Sequence, residues 1–227
     1  MRRQDVLEAF HAEAEQLTLV MLKLNEGDFS RPSPCPPWTV SELLGHVRGA
    51  IVLLSNALTQ PAPPYAEVTA ADYYRPDARY APEANAERIV SAQREAAALG
   101  SGRALAEDFD QVWQRAYREV MAEPDDRKVR TNYGDAMLLT DYLVTRVVEL
   151  AVHGLDLAAG LKREPWITEP AAQVVEELLL SVGGAAVVQD LGWDRLTFIR
   201  KATGREPLLG NEVYQVRRRG VSWLALS

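Results

Sequence analysis

Apolar residues recur at alternating steps of three and four over long stretches of this chain, and clusters of proline cut those stretches apart. The first stripe is Leu7, Phe10, Ala14, Leu17, Met21 and Leu24, which the 3.6-residue turn of an α-helix gathers on one face. It predicts a helix over 2–25, ended by Glu26-Gly27-Asp28. Leu105, Phe109, Val112, Ala116 and Val120 predict another over 103–122. Leu143, Val147, Leu150 and Leu157 predict one over 141–159, with Thr140 as its cap and Gly160 as its close. Between the first two lies Arg31-Pro-Ser-Pro-Cys-Pro-Pro-Trp38, whose four prolines lack backbone donors and stop any helix. Thr39-Val-Ser-Glu42 follows with capping-box spacing and opens a helix over 40–58. Trp38 is expected to pack the proline-rich loop against the bundle.

Shorter patterns predict helices over 85–99, 169–182 and 194–202, with Gly183-Gly184 bending or ending the second of these. Asn132-Tyr-Gly-Asp135 is a turn signal for a short hairpin. Asn211 is placed to cap one more short helix before an extended end over 221–226. The stretch 60–82 has no period; an ordered loop of that length is expected to form the wall or lid of a site. Together these elements predict an all-α antiparallel bundle over 1–162, with a small, mainly helical C-terminal part over 163–227 packed on it.

The formal net charge of -7 opposes a phosphate backbone, so nucleic acid is a poor partner. No apolar run reaches the roughly 18 residues of a membrane span, and the basic start leads into an amphipathic pattern rather than a signal peptide. A single cysteine, Cys35, rules out an intrachain disulfide. These features fit a cytoplasmic protein. A homodimer is compatible with them.

The chain has only three histidines. His11 lies beside Glu8 and Glu15 at helical spacing and reads as a surface residue. Glu149 and His153 are four apart on a predicted helix and leave it on one face. With Tyr142, Arg146 and Asp156 they make a polar stripe on a helix otherwise rich in Leu, Val and Ala. An inward carboxylate and imidazole need a partner, because an unpaired buried charge is costly. A divalent metal is one such partner; an Arg146–Glu149 ion pair, with His153 merely hydrogen-bonded, is the other. His46, inside the second predicted helix, adds weight to the metal. Gly49 and Ala50, one turn on, are small enough to leave room for a ligand. Two nitrogens and one oxygen suit a zinc-like ion with open coordination positions.

Pro34-Cys-Pro-Pro-Trp-Thr-Val-Ser-Glu-Leu-Leu-Gly-His46 resembles the first signature of the mycothiol-dependent maleylpyruvate isomerase family, within the DinB-like bundle superfamily. Arg146-Val-Val-Glu149-Leu-Ala-Val-His153-Gly-Leu-Asp-Leu157 resembles its second. The segment from Asp194 to Leu208 is similar to one common in its actinobacterial members. The resemblance implies a divalent metal, usually zinc, on His46, Glu149 and His153, and mycothiol as the thiol cofactor. It implies a transferase or isomerase acting on a small electrophilic substrate. The larger sterol-carrier-like C-terminal domain of the isomerase itself has no counterpart here, so the substrate stays open. Arg146 is the candidate for holding an anionic group, and Asp156 for accepting the His153 N–H. The alternatives are a metal-containing protein that binds or senses a small molecule without catalysis, and a metal-free bundle with satisfied polar groups. A far-UV circular dichroism spectrum should be dominated by helix; a strand-dominated spectrum would overturn the bundle.

Overall fold

The computed structural model describes residues 1–75, 77, 81–181, 184–221 and 223. Four long helices enclose the core: α1 (Arg3–Met21), α3 (Val40–Leu58), α6 (Gly102–Ala122) and α7 (Leu139–Gly160). α1 and α3 each pack on both α6 and α7. The predicted stripes face inward, with Phe10, Leu17, Met21, Leu105, Phe109, Val147 and Leu150 all buried. α5 (Pro82–Ala98) lies on the outer side of α3. Their approach is close because Gly45 has no side chain; a Cβ there would stand 2.8 Å from the Ala92 carbonyl oxygen. Arg48 of α3 is ion-paired with Glu95 of α5 and Asp108 of α6. No single helix among the described residues is long and apolar enough to cross a membrane.

The Thr39–Glu42 capping box forms as read from the sequence, with the Thr39 N–H donating to Glu42 Oε2 at 2.7 Å. Two turn signals conceal short helices. Glu26-Gly27-Asp28 begins α2 (Glu26–Phe29), capped by Asn25, rather than merely ending α1. Glu26 also accepts from the Gly102 and Arg103 N–H groups at the start of α6. The unpatterned stretch after residue 60 contains α4 (Ala70–Tyr73), opened by a Thr69–Asp72 capping box and too short to show a period.

The hairpin is β1 (Lys128–Arg130) against β2 (Ala136–Leu138), antiparallel, with Val129 opposite Met137. It corrects the expected start of α7. Leu138, not Thr140, holds the cap position, without a side-chain bond. β2 runs directly into the helix, and the Leu139 N–H donates to the Arg127 carbonyl at 2.8 Å. A backbone acceptor does what a side-chain cap does elsewhere.

The C-terminal part comprises α8 (Glu169–Ser181), α9 (Ala185–Leu191), α10 (Arg195–Ala202) and α11 (Asn211–Arg218). α9 was not expected; it begins after Gly184 and stops at Gly192, both with positive φ. Gly183 and residues 222 and 224–226, where a bend and an extended end were expected, lie outside the described residues. Gly210, not Asn211, takes the cap position of α11. α8 packs on α1 and α7, and α10 on α8, so one core runs from Phe10 through Val175 to Phe198.

One buried carboxyl group ties α1 to α8. Glu13 is 0% exposed, and its Oε2 accepts from the Thr168 N–H at 2.8 Å and the Thr168 hydroxyl at 2.6 Å. Glu13→Ala would strand these donors at the start of α8. It should lower stability by about 1–3 kcal/mol in urea denaturation, while Glu13→Gln, which keeps an acceptor, should cost less.

Candidate metal centre and its cavity

The capping box starts α3 directly after the proline-rich loop, and two turns later the helix presents His46. α7 presents Glu149 and His153 one turn apart. The packing of α3 on α7 brings the three together. His46 Nε2 lies 3.3 Å from Glu149 Oε2, and His153 Nε2 lies 3.4 Å from the same oxygen. One donor atom from each residue falls within 4.8 Å of the others. A charge-assisted N–H···O bond is shorter, at about 2.7–2.9 Å. Tetrahedral ligands about 2.0–2.1 Å from an ion stand roughly 3.3–3.4 Å apart. The donor set and its spacing therefore suit a small divalent ion better than a hydrogen-bonded trio.

Each imidazole is held by its surroundings. The Trp38 ring stacks on His46 with centroids 4.9 Å apart, and its N–H points to the Ile89 carbonyl of α5 at 3.5 Å. The indole packs the proline-rich loop onto the bundle and also fixes a site residue. His153 stands edge-on to His46, with centroids 5.0 Å apart. Its Nδ1 lies 2.9 Å from Asp156 Oδ2. Asp156 is thus where the sequence placed it, behind the imidazole.

Burial shifts the three groups differently. It pushes His46 down, and the nearby Glu149 carboxylate offsets this only in part. Burial also opposes charge on His153, but Asp156, Cys35 and Glu149 outweigh it and raise this imidazole well above its ordinary value. For Glu149 burial works upward, yet the contacts with His153 and His46 hold the carboxyl well below the usual range. Without metal the arrangement is a neutral His46 beside a charged Glu149–His153 pair.

The trio opens on a cavity of about 750 Å³. The stretch expected to wall a site supplies Tyr73 and Tyr74, and the hairpin turn supplies Tyr133. Arg88, Arg163, Arg200 and Arg205 also line it, Arg205 paired with Asp156 and Arg200 with Glu206. Gly49 and Ala50 are not part of the lining. Space does lie beside Gly49, where a Cβ would meet nothing within 4 Å, but it is not this cavity. Ala50 is buried and its carbonyl accepts from Arg146 Nη1 at 3.0 Å.

Arg146 stands behind the wall rather than in it. It is 2% exposed, donates to the Tyr73 hydroxyl at 3.0 Å and the Thr145 hydroxyl at 3.1 Å, and lies 4.7 Å from the Tyr142 ring centroid. Its fork is spent on neutral acceptors and aromatic faces, so it reaches neither Glu149 nor a ligand in the cavity directly. Cys35 of the proline-rich loop folds inward, and its Sγ lies 3.3 Å from Asp156 Oδ2. Arg205 has no signal in the sequence that places it at the site. Arg205, in the turn after α10, grips Asp156 through Nε at 3.1 Å and Nη2 at 2.9 Å. The run Thr203-Gly-Arg-Glu-Pro207 marks a turn, but no sequence spacing ties it to α7.

A family model described as the mycothiol maleylpyruvate isomerase N-terminal domain matches residues 10–158. The uncharacterized protein Rv0036c of Mycobacterium tuberculosis strain H37Rv is 28% identical over 162 residues, as is its counterpart MT0041 in strain CDC 1551. Each match covers 71% of this chain and 57% of the relative, so the chain spans little more than half their length. The crystal structure of a mycothiol-dependent maleylpyruvate isomerase superposes with a TM-score of 0.52 at 20% identity, covering 77% of this chain and 68% of that one. A point mutant described by the same name gives 0.52 at 18%, covering 81% and 74%.

The His153 environment sets a pH signature for the metal-free protein. A raised folded-state value means that its contribution to stability is complete below about pH 6.5, the ordinary histidine value, and is lost as pH rises through the folded value. Chemical denaturation in the presence of chelator should show stability falling from neutral into alkaline pH. Asp156→Asn should flatten that fall.

Proposed function

The chain belongs to the mycothiol maleylpyruvate isomerase N-terminal domain family, and from that premise we propose that it is a metal-dependent enzyme using a low-molecular-weight thiol, mycothiol, to isomerise or conjugate a small electrophile. The observation that carries this reading is the pair of 3.3 and 3.4 Å separations among His46, Glu149 and His153, too long for strong hydrogen bonds and suited to a shared ion. Zinc fits two imidazoles and one carboxylate with a position left for a ligand. When bound, such an ion lowers the proton affinity of a coordinated thiol, and the resulting thiolate adds reversibly to an activated double bond or displaces a leaving group.

The chain's own residues do the rest. His46, Glu149 and His153 would hold the ion, and Asp156 keeps the His153 Nδ1 side occupied. Tyr73, Tyr74 and Tyr133 line the cavity. Arg146 acts through Tyr73, holding its hydroxyl in place. Arg88 and Arg163 give the lining a positive field suited to an anionic group on thiol or substrate. Cys35 lies beside Asp156 rather than within the trio, which leaves the nucleophile to an external thiol.

Zinc-loaded protein should carry about one equivalent of metal, and His153→Ala should lose most of it. Equal and negligible metal in both proteins under zinc-replete conditions would overturn the site. With a panel of electrophiles, Glu149→Ala should lose thiol-dependent turnover while staying folded, and Cys35→Ser should keep it. If Cys35→Ser abolishes turnover with the metal retained, the nucleophile is the protein's own thiol.

A further inference from the structure

Asp156 is 3% exposed, and both of its oxygens have partners, Oδ2 also lying 3.3 Å from Cys35 Sγ. Oδ2 lies 2.9 Å from His153 Nδ1 and accepts from Arg205 Nη2 at 2.9 Å, while Oδ1 accepts from Arg205 Nε at 3.1 Å. A carboxylate alone on a helix is free to turn about its side-chain torsions; a guanidinium fork gripping both oxygens fixes its plane. The fork is itself anchored. Arg205 Nη1 donates to the Thr203 carbonyl at 2.7 Å, and the Arg205 N–H donates to the Arg200 carbonyl at 2.7 Å. Gly204, at φ 76°, supplies the left-handed turn that aims the side chain back at α7. Arg200, Thr203, Gly204 and Arg205 lie beyond position 158, where the family match ends.

We propose that Arg205 is a positioning residue of the metal centre: it locks the Asp156 carboxylate, which holds the His153 ring with Nε2 turned toward Glu149 and His46. The inference rests on the metal reading of that trio. It gives the C-terminal segment a part in the site that its distance in sequence conceals. It also assigns a role to the second cluster of ligand-type atoms, Cys35 with His153 and Asp156. The guanidinium occupies both Asp156 oxygens, so a second cation there would face a fixed positive charge. That cluster is a support for His153 rather than a second metal site.

The test is zinc affinity, measured on purified full-length protein by competition with a chromophoric chelator, together with the visible spectrum of the cobalt-substituted protein. Arg205→Gln should weaken zinc binding about 10–100-fold, the usual effect of losing a partner behind a metal-bound histidine. Its cobalt spectrum should differ from wild type. Arg205→Lys keeps the charge but not the fork and should fall between the two. Asp156→Asn should weaken binding by a similar factor, and the Arg205→Gln/Asp156→Asn double variant should be little worse than Asp156→Asn alone, because both act through one contact. Arg195→Gln, which breaks an ion pair with Glu176 elsewhere in the C-terminal part, should leave affinity unchanged; if it weakens zinc as much as Arg205→Gln does, the effect is general loosening and the proposal is overturned. Wild-type affinity and spectrum in Arg205→Gln would overturn this inference while leaving the trio intact. If Arg205→Gln does not fold, Arg205→Lys decides, since wild-type affinity there has the same force. A wild-type protein that takes up no zinc removes the metal reading and this inference with it.

Discussion

The Glu149 carboxylate, half-buried between two imidazoles from two helices, is the interaction on which the arrangement of the site depends. A charge drawn out of water must find a partner, and here the charged His153 of α7 supplies it, with the neutral His46 of α3 beside it. The helices that carry them must therefore pack in one register. A slide by a single turn, about 5.4 Å, would leave the carboxylate without His46. The apolar stripes make the helices associate, but stripes of Leu and Val tolerate several registers. The polar trio adds the specificity that the stripes lack. Gly45, one residue before His46, acts in the same direction by letting α5 close on the outer face of α3.

Around this trio the molecule builds supports from distant segments. The proline-rich loop contributes Trp38, laid flat on His46, and the turn after α10 contributes Arg205, which grips Asp156. Neither touches the proposed ion. Each restricts the rotation of a ring that does, so the donor atoms are brought together before anything binds, and the free-energy cost of ordering them falls on folding rather than on binding. The cavity beside the trio is lined by Tyr73, Tyr74 and Tyr133 and by Arg88, Arg163, Arg200 and Arg205. Aromatic rings and guanidinium groups both line it, a combination suited to a small molecule with both apolar and anionic parts.

The elements differed in how legible they were. Val40–Leu58 was read to the residue, because four prolines and a capping box punctuate its start. α4 and α9 were missed, since four and seven residues are too few to display a helical period. The start of α7 was misplaced because its first N–H is satisfied by the Arg127 carbonyl across the hairpin, a partner with no local signature. Among site residues, Glu149, His153 and Asp156 were visible because they share a helix face, and helix geometry fixes their relative directions. His46 was visible because it follows the capping box in a stretch that resembles the family's first signature. Gly49 and Ala50 were chosen for their size, but their placement depends on which side of α3 faces the cavity. Arg146 has the charge for an anion-holding role, yet the fold directs its guanidinium to Ala50, Tyr73 and Thr145.

By itself the sequence determined what depends on local spacing: the long helices, the loop that separates the first two, the polar stripe on α7 and the identity of its ligand-type residues. These follow from the 3.6-residue period and from proline's missing donor, which act within a few residues of chain. Only the tertiary structure decided which atoms of distant segments meet: Glu149 with His46, Arg205 with Asp156, Cys35 with the same carboxylate, and Arg146 with Tyr73. The physical reason is that a contact between residues far apart in sequence is set by the packing of whole helices, a sum over many side chains. No local pattern records the outcome of that sum.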